Sequence, residues 1–190
     1  MTPIAITVSN RYYPHASSWL RDLALIVIGS LLIAVLAQIS FPLPFTPVPL
    51  TGQTFGVLLL GAALGSKRGI SSMLLYIMEG GLGLPFFAGG ASGWHVLAGA
   101  TAGYLIGFVV AAYVIGLLAE RGLERTVRTS FLPFLLGNLI IYTFGVTWLA
   151  ILLGSFSKAI LVGLLPFLIG DVIKLVLAAL ALPAAWRLVN

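Results

Sequence analysis

The last apolar segment of the chain, Ala159 to Trp186, contains two charged residues, and this restricts the fold more than any other sequence feature. Asp171 and Lys174 stand three residues apart, with an apolar stretch on each side. A charge near the centre of a bilayer costs about 2.5–3.5 kcal/mol, so charged residues in such a segment need a partner or a ligand. Residues three apart on a helix share a face. The pair is therefore the first candidate for a functional site.

The composition identifies an integral membrane protein. Of the 190 residues, 60% are hydrophobic and 8% are charged, whereas soluble domains have about 45–50% and about 25%. A helix needs about 20 apolar residues to cross the hydrocarbon. We predict an all-α fold with six transmembrane helices in one domain, residues 1–190. After a cytoplasmic N-terminal segment, 1–19, the predicted spans are about 20–39, 54–64, 69–78, 101–119, 131–153 and 159–186.

The basic residues predict how the spans are oriented. With both termini placed in the cytoplasm, eight of the ten Lys and Arg residues fall on the inner side: Arg11, Arg21, Lys67, Arg68, Arg121, Arg125, Arg128 and Arg187. The outer loops then hold only Lys158, which agrees with the positive-inside rule. We therefore expect a multi-pass protein of the cytoplasmic (inner) membrane whose Asp171 and Lys174 lie below the outer surface. The scattered net charge of +5 does not indicate nucleic-acid binding.

Two irregular loops fall on the predicted outer side. The proline loop, Ser40 to Gln53, has four prolines within eight residues, which excludes a regular helix and favours an extended path. We predict that it caps a cavity, because irregular backbone at membrane depth is tolerated only against protein or water. The glycine loop, Gly80 to Gly99, combines bare backbone with aromatic side chains, which suits either ligand contact or an interfacial loop at headgroup level.

Catalysis is not expected. Gly170-Asp171 has part of an intramembrane aspartyl protease motif, but the only other aspartate, Asp22, lies at the cytoplasmic end of the first span. His15 and His95 lie outside the spans without metal-binding spacing, and the chain has no cysteine. The segment 61–68 is one residue too short for a nucleotide-binding P-loop. We predict no enzyme activity, no metal site and no cofactor.

Two features remain open from the residues alone. The Asp171–Lys174 pair is either a structural ion pair or a site for a small polar ligand, to which Tyr76, Tyr104, Asn138 and Tyr142 could add polar contacts. In the first span, the small residues Ser30 and Ala34 stand four apart, a spacing that lets another helix approach closely. That helix could belong to this chain or to a partner subunit.

Long motifs, in order along the chain, resemble a known family. They are Gln38-Ile-Ser-Phe-Pro-Leu-Pro-Phe-Thr-Pro-Val-Pro-Leu-Thr-Gly-Gln-Thr54, Leu75-Tyr-Ile-Met-Glu-Gly-Gly-Leu-Gly-Leu-Pro-Phe-Phe-Ala-Gly-Gly90, Thr101-Ala-Gly-Tyr-Leu-Ile-Gly-Phe108 and Gly170-Asp-Val-Ile-Lys174. The chain resembles the BioY family, the biotin-binding S components of energy-coupling-factor (ECF) vitamin transporters. The sequence departs from the family pattern at two places. Ser30 stands where the family usually has the first alanine of an Ala-x-x-x-Ala motif, and the glycine loop has Gly93-Trp-His-Val where the family has a run of small residues.

The resemblance implies a six-helix S-component fold that binds biotin near the outer face and takes it up across the membrane. It implies two classes of partner, a transmembrane T component and two ATPase subunits, and leaves homo-oligomerisation open. The predicted substrate-binding residues are Asp171, Lys174, Asn138, Tyr104, Gly90, Gln53 and Thr46, and the predicted partner-contact residues are Ser30 and Ala34. The alternative is a membrane scaffold or assembly subunit with a structural ion pair. Loops that fold over a cavity would favour the transporter, and loops that lie flat would favour the scaffold.

Overall fold

A computed structural model describes residues 1–189, and most of its regular structure is helical. Eight α-helices follow one another: α1 (Ile4–Tyr12), α2 (Ser18–Gln38), α3 (Gln53–Leu64), α4 (Ser66–Gly81), α5 (Ala102–Ala119), α6 (Val127–Leu153), α7 (Phe156–Gly163) and α8 (Leu168–Val189). Two strands, β1 (Ser40–Phe41) and β2 (Leu50–Thr51), pair antiparallel at the two ends of the proline loop. The glycine loop contains short 3-10 turns at Ala88–Gly90 and Trp94–Ala98. The prediction of an all-α fold is therefore confirmed.

Four of these helices are long and apolar enough to cross a membrane. They are α2, α5, α6 and α8, with 18 to 27 residues each. In contrast, α3 is apolar but has 12 residues, which gives it a length of about 18 Å at 1.5 Å per residue. A multi-pass membrane protein follows from these lengths and compositions.

Helix α5 forms the centre of the bundle. It packs against α3, α4 and α6, and its residues Ala111, Ala112, Ile115 and Ala119 have no exposed surface. Small residues on this helix let its neighbours approach closely, which gains dispersion contacts where lipid removes the hydrophobic driving force between helices. Around this centre, α2 packs on α3 and α4, while α8 packs on α3 and α6.

The predicted last span, 159–186, is two helices rather than one. Helix α7 ends at Gly163 and α8 begins at Leu168, and the residues between them form turns around Pro166. Proline has no N–H for the helical ladder and disfavours helical backbone in the residue before it, so the break falls here. The break leaves the carbonyl groups of Val162 and Gly163 available to side chains from other elements.

Three further elements differ from the prediction. Helix α4 runs from Ser66 to Gly81, beyond the predicted span 69–78 at both ends. The N-terminal segment, for which no helix was predicted, contains α1, and Ser17 then caps α2 by accepting a hydrogen bond from the Leu20 N–H. Helix α6 starts at Val127, four residues before the predicted Phe131, because the Thr126 hydroxyl caps it at the Thr129 N–H. Its internal Pro133 is the seventh residue of the helix and has no N–H to donate to the Thr129 carbonyl, so α6 continues there with one helical hydrogen bond fewer.

The predicted partner-contact residues are inside this chain. Ser30 is 0% exposed and Ala34 is 4% exposed, on the face of α2 that packs against α3 and α4. The Ser30 hydroxyl donates to the Val27 carbonyl of its own helix. The structure therefore contradicts the prediction that Ser30 and Ala34 form a surface for a partner. Their small size serves close helix packing within the fold.

This burial predicts the effect of a larger side chain. Ser30→Leu should overpack the contact between α2 and α4 and destabilise the fold by about 1–3 kcal/mol. Val35→Leu is the matched control, because Val35 lies on the same helix and is 64% exposed. Thermal unfolding of both variants in detergent should show a lower melting temperature for the first only. Equal melting temperatures would place Ser30 outside the packed interior.

Candidate ligand-binding site

A partly enclosed cavity of about 180 Å³ lies at the end of the bundle where α3, α5 and α8 begin. Its size suits a small molecule rather than a peptide. Its lining combines aromatic and aliphatic walls with a small polar cluster: Val48, Pro49, Thr51, Gln53, Thr54, Tyr76, Phe87, Ala88, Ala91, Val96, Thr101, Tyr104, Leu105, Phe108, Ile141, Tyr142, Phe167, Asp171 and Lys174. Few polar groups in an apolar enclosure are typical of a site that fixes the orientation of one ligand.

The charged pair on α8 belongs to the polar cluster. The Lys174 Nζ lies 2.8 Å from the Asp171 Oδ1, so the two side chains form an ion pair. The same Nζ donates to the Thr51 carbonyl and to the Thr54 Oγ1, each at 2.8 Å. An ammonium group has three N–H donors, so all three are satisfied in this structure. A ligand anion must therefore exchange with one of these acceptors.

Asp171 is held from three directions. Its Oδ1 accepts from Lys174 and, at 3.0 Å, from the Thr54 hydroxyl, and its Oδ2 accepts from the Tyr142 hydroxyl. The carboxylate is 4% exposed. Hydrogen bonds from hydroxyl groups and a nearby cation compensate for removing this charge from water. The carboxylate is consequently positioned by α3, α6 and α8 together.

A second polar contact supports the aromatic wall. The Gln53 side-chain amide donates to the Tyr76 hydroxyl at 2.8 Å, and this hydroxyl donates to the Phe86 carbonyl at 3.1 Å. The Tyr76 and Phe87 rings meet edge to face, with centroids 5.6 Å apart, an arrangement that aromatic pairs prefer. The chain of contacts fixes the glycine loop against α3 and α4.

Both the proline loop and the glycine loop fold over the cavity. The proline loop and β2 contribute Val48, Pro49 and Thr51 to the lining, and the glycine loop contributes Phe87, Ala88, Ala91 and Val96. The Gln38 side-chain amide at the end of α2 lies within 3.4–3.5 Å of the Pro85, Phe86 and Phe87 carbonyls. Loops that fold over a cavity favour a ligand-binding protein over the alternative of a membrane scaffold or assembly subunit.

Four of the seven predicted substrate-binding residues line the cavity: Asp171, Lys174, Tyr104 and Gln53. Tyr104 also donates from its hydroxyl to the Gly163 carbonyl at 2.6 Å, which ties α5 to the break after α7. These residues come from α3, α5 and α8, so the fold brings together side chains that are more than 110 positions apart in the sequence.

The other three lie outside the lining. Thr46 donates to the Val162 carbonyl at 2.6 Å, which fastens the proline loop to the break after α7. Gly90 has a φ of +78°, a conformation that favours glycine, and it turns the loop between the cavity residues Ala88 and Ala91. Asn138 faces a different, lateral groove between α6, α7 and α8. Thr46 and Gly90 therefore shape the cavity walls, and Asn138 is one helical turn away from the cavity residue Tyr142.

Sequence reasoning did not assign Thr51 or Thr54 to the site, and it left Tyr142 out of the predicted substrate-binding residues. Tyr142 was a candidate polar contact, but its partner Asp171 is on another helix. Thr54 and the Thr51 carbonyl lie where β2 passes into α3, and they bind the Lys174 ammonium group. Their place directly beside Gln53 in the proline-loop motif is the only signal that could have found them.

The fold and the site together define a class: a multi-pass membrane protein with a partly enclosed small-molecule cavity at one end of its helix bundle. A crystal structure of the S-component for biotin from an ECF-type ABC transporter has the same fold, with a TM-score of 0.82, 23% identity, and coverage of 90% of this chain and 95% of that one. The family model described as the BioY family matches residues 7–190. The chain belongs to the BioY family.

Relatives with high coverage support this membership. The biotin transporter BioY of Rhizobium etli is 40% identical over 169 residues, which cover 84% of this chain and 90% of the relative. The probable biotin transporter BioY of Pyrococcus horikoshii is 41% identical, with 88% and 96% covered. The biotin transporter BioY of Thermotoga maritima is 44% identical, with 85% and 93% covered. Membership in a family of transporters confirms that the chain is not an enzyme.

Proposed function

We propose that this chain binds biotin in the cavity around Asp171 and Lys174 and acts as the substrate-binding subunit of an ECF-type transporter. The observation that supports this most directly is the enclosure of Asp171 and Lys174 by two loops whose motifs carry the family resemblance. Relatives with about 40% identity over most of the chain bear the name biotin transporter. The scaffold alternative gains no support from loops that fold over a cavity.

The chemistry of biotin matches the lining. Biotin offers a carboxylate, two ureido N–H donors, a carbonyl oxygen and an apolar bicycle. Lys174 is the cation for the carboxylate, Asp171 accepts from the ureido N–H groups, and Phe87, Tyr104 and Phe108 provide walls for the bicycle. Because the carboxylate and the ureido ring are at opposite ends of biotin, both contacts form only if the Lys174 ammonium group moves away from Asp171, with which it is paired at 2.8 Å in this structure.

The same proposal includes the membrane arrangement. Six crossings with both termini in the cytoplasm place the cavity near the outer surface and the turn between α3 and α4, with Lys67 and Arg68, on the inner side. The arginines between α5 and α6 then also lie inside, as the positive-inside rule requires. In this arrangement the short helix α3 crosses only together with the extended proline loop above it.

Isothermal titration of the purified protein with biotin is the direct test. We expect saturable heat at micromolar biotin, with one site per chain. The same titration with Asp171→Asn should show weaker binding, because an amide presents an N–H₂ where the ureido donors need an acceptor. Absence of heat in wild type, together with no competition by biotin in a binding assay, would contradict the proposal.

A separate energising module is part of the proposal. The segment 61–68, at the turn between α3 and α4, lacks the spacing that a phosphate-binding loop requires. The energy for uptake then comes from a partner or an ion gradient, and we propose ATPase partners. Reconstituted alone in liposomes without an ion gradient, the chain should bind biotin and fail to concentrate it. Uphill accumulation by the chain alone would remove the need for partners while leaving the biotin site intact.

A further inference from the structure

A second concave surface lies at the opposite end of the bundle from the ligand cavity. This surface, the α1 groove, runs between α2 and α8 beside α1 and encloses about 690 Å³. It shares no lining residue with the ligand cavity. Its walls are mainly aliphatic, with Ile4 and Val8 from α1, Leu25 and Ile28 from α2, and Leu188 from α8. An aliphatic groove on a membrane protein suits the acyl chain of a lipid.

The polar lining of the α1 groove is confined to one end. Ser9 and Tyr13 lie in the last turn of α1 or just after it, and Arg21 lies in the first turn of α2. From Arg21 the groove follows α2 into the bilayer past Ala24, and the residues beyond are apolar. A ligand that fits this gradient has a polar end at the membrane surface and an apolar end in the membrane.

The charge at the polar end favours an anion. The Arg21 guanidinium donates to the Asn10 side-chain oxygen, and within residues 1–189 no carboxylate lies within 4.0 Å of it. The neighbouring Asp22 is paired with Arg68 at 2.7 Å, so it does not neutralise Arg21. A guanidinium has five N–H donors in a planar fork that matches phosphate oxygens. Arg21 therefore keeps donors for a phosphate group.

Exposed aromatic residues place this end of the groove at the membrane surface. Tyr12, Tyr13 and Trp19 are 66–70% exposed and lie in or beside the turn that joins α1 to α2. Tyrosine and tryptophan are enriched at headgroup level, where their rings meet hydrocarbon and their polar atoms meet water. A short amphipathic helix beside them suits a position in the plane of the interface.

We propose that the α1 groove binds one anionic phospholipid. Its phosphate contacts Arg21 at the surface, and an acyl chain lies along α2 past Ala24 and Ile28. The inference does not depend on the identity of the ligand in the other cavity. It assigns α1 a role in holding a lipid against α2 and α8.

Native mass spectrometry of the full chain, released from nanodiscs of phosphatidylglycerol and phosphatidylcholine in equal amounts, tests the proposal. We expect one retained phosphatidylglycerol, favoured about fivefold over phosphatidylcholine, since one basic residue near an anionic headgroup contributes about that factor. Arg21→Gln should abolish the preference. Arg128→Gln is the matched control, because Arg128 is an exposed arginine at the start of α6, outside the groove, and it should keep the preference.

A variant that fills the α1 groove distinguishes a lipid bound in the groove from lipids that are only attracted to the charged surface. Ala24→Trp places a large ring in the groove from an exposed position, and it should remove the retained lipid of either type while biotin binding stays unchanged. If that variant does not fold, Ile28→Trp at another exposed position serves the same purpose. Equal retention of both lipids, equal effects of Arg21→Gln and Arg128→Gln, or a dimer that dissociates on filling the groove would each overturn the proposal.

Discussion

Lys174→Ala is expected to weaken biotin binding by about 100-fold and to weaken binding of a neutral biotin amide much less. Hydrogen bonds to charged groups contribute about 1.5–3 kcal/mol, and about 1.4 kcal/mol corresponds to a factor of ten in affinity. The carboxylate of biotin needs the Lys174 ammonium group, whereas the amide has no charge to compensate. Titration calorimetry with both ligands measures the difference, and Lys174→Met, which keeps most of the aliphatic stem, controls for lost packing.

The melting temperature of the ligand-free protein helps to distinguish a ligand-binding role of Lys174 from a purely structural ion pair with Asp171. Without Lys174, the Asp171 carboxylate keeps its hydrogen bonds from Tyr142 and Thr54, which offset part of the cost of leaving one buried charge unpaired. Asp171→Asn leaves the Lys174 ammonium group without a counterion but with the Thr51 carbonyl and the Thr54 hydroxyl as acceptors, so it should lower the melting temperature by a similar amount and weaken both ligands alike. If Lys174→Ala lowered the melting temperature strongly and affected both ligands equally, the assignment of the carboxylate to Lys174 would be wrong.

Gly145→Ala is expected to destabilise the fold by about 1–3 kcal/mol and to weaken biotin binding. A Cβ at Gly145 on α6 would overlap the ring of Tyr104, which lines the cavity. The ring cannot move away freely, because its hydroxyl is hydrogen-bonded to the Gly163 carbonyl and only 7% of the residue is exposed. The expected result is a loss of both melting temperature and affinity.

Gly170→Ala is the matched control for this substitution. Gly170 precedes Asp171 in α8, and a Cβ there would meet the Leu50 side chain at 3.6 Å, an ordinary van der Waals distance. Alanine is also the better helix former, so melting temperature and affinity should be retained. Equal tolerance of both substitutions would mean that the Tyr104 ring is not confined as the structure shows.

The sequence predicted the long helices well because length and apolarity alone specify them. The predicted spans 20–39, 101–119 and 131–153 correspond to α2, α5 and α6 with boundary differences of a few residues. The division of the last segment could not be predicted, since turns packed against protein are as apolar as the helices they join. The nine residues of α1 carry too short a pattern to distinguish a helix from an irregular tail.

The site was predictable only where charge or motif marked it. Asp171 and Lys174 stand out because charge in an apolar segment is costly. Tyr142 and Thr54 are ordinary residues of membrane helices until the fold places their hydroxyl groups on the Asp171 carboxylate. The prediction of a partner contact at Ser30 and Ala34 was wrong for a related reason. Small residues allow close approach by any helix, and the sequence does not say whether that helix belongs to this chain. In the structure the helices that pack there are α3 and α4 of the same chain.

The interruption between α7 and α8 has a consequence for how the protein opens. In a continuous helix the Gly163 carbonyl would accept from the Phe167 N–H, while Pro166 has no N–H for the Val162 carbonyl. Here the Gly163 carbonyl accepts from Tyr104 of the cavity wall, and the Val162 carbonyl accepts from Thr46 of the proline loop. One short stretch of backbone thus holds both the proline loop, which covers the ligand cavity, and Tyr104, which lines it. A shift of that stretch would therefore move the proline loop and the Tyr104 ring together, so a substitution there should change both the rate of ligand entry and the fit of the bound ligand.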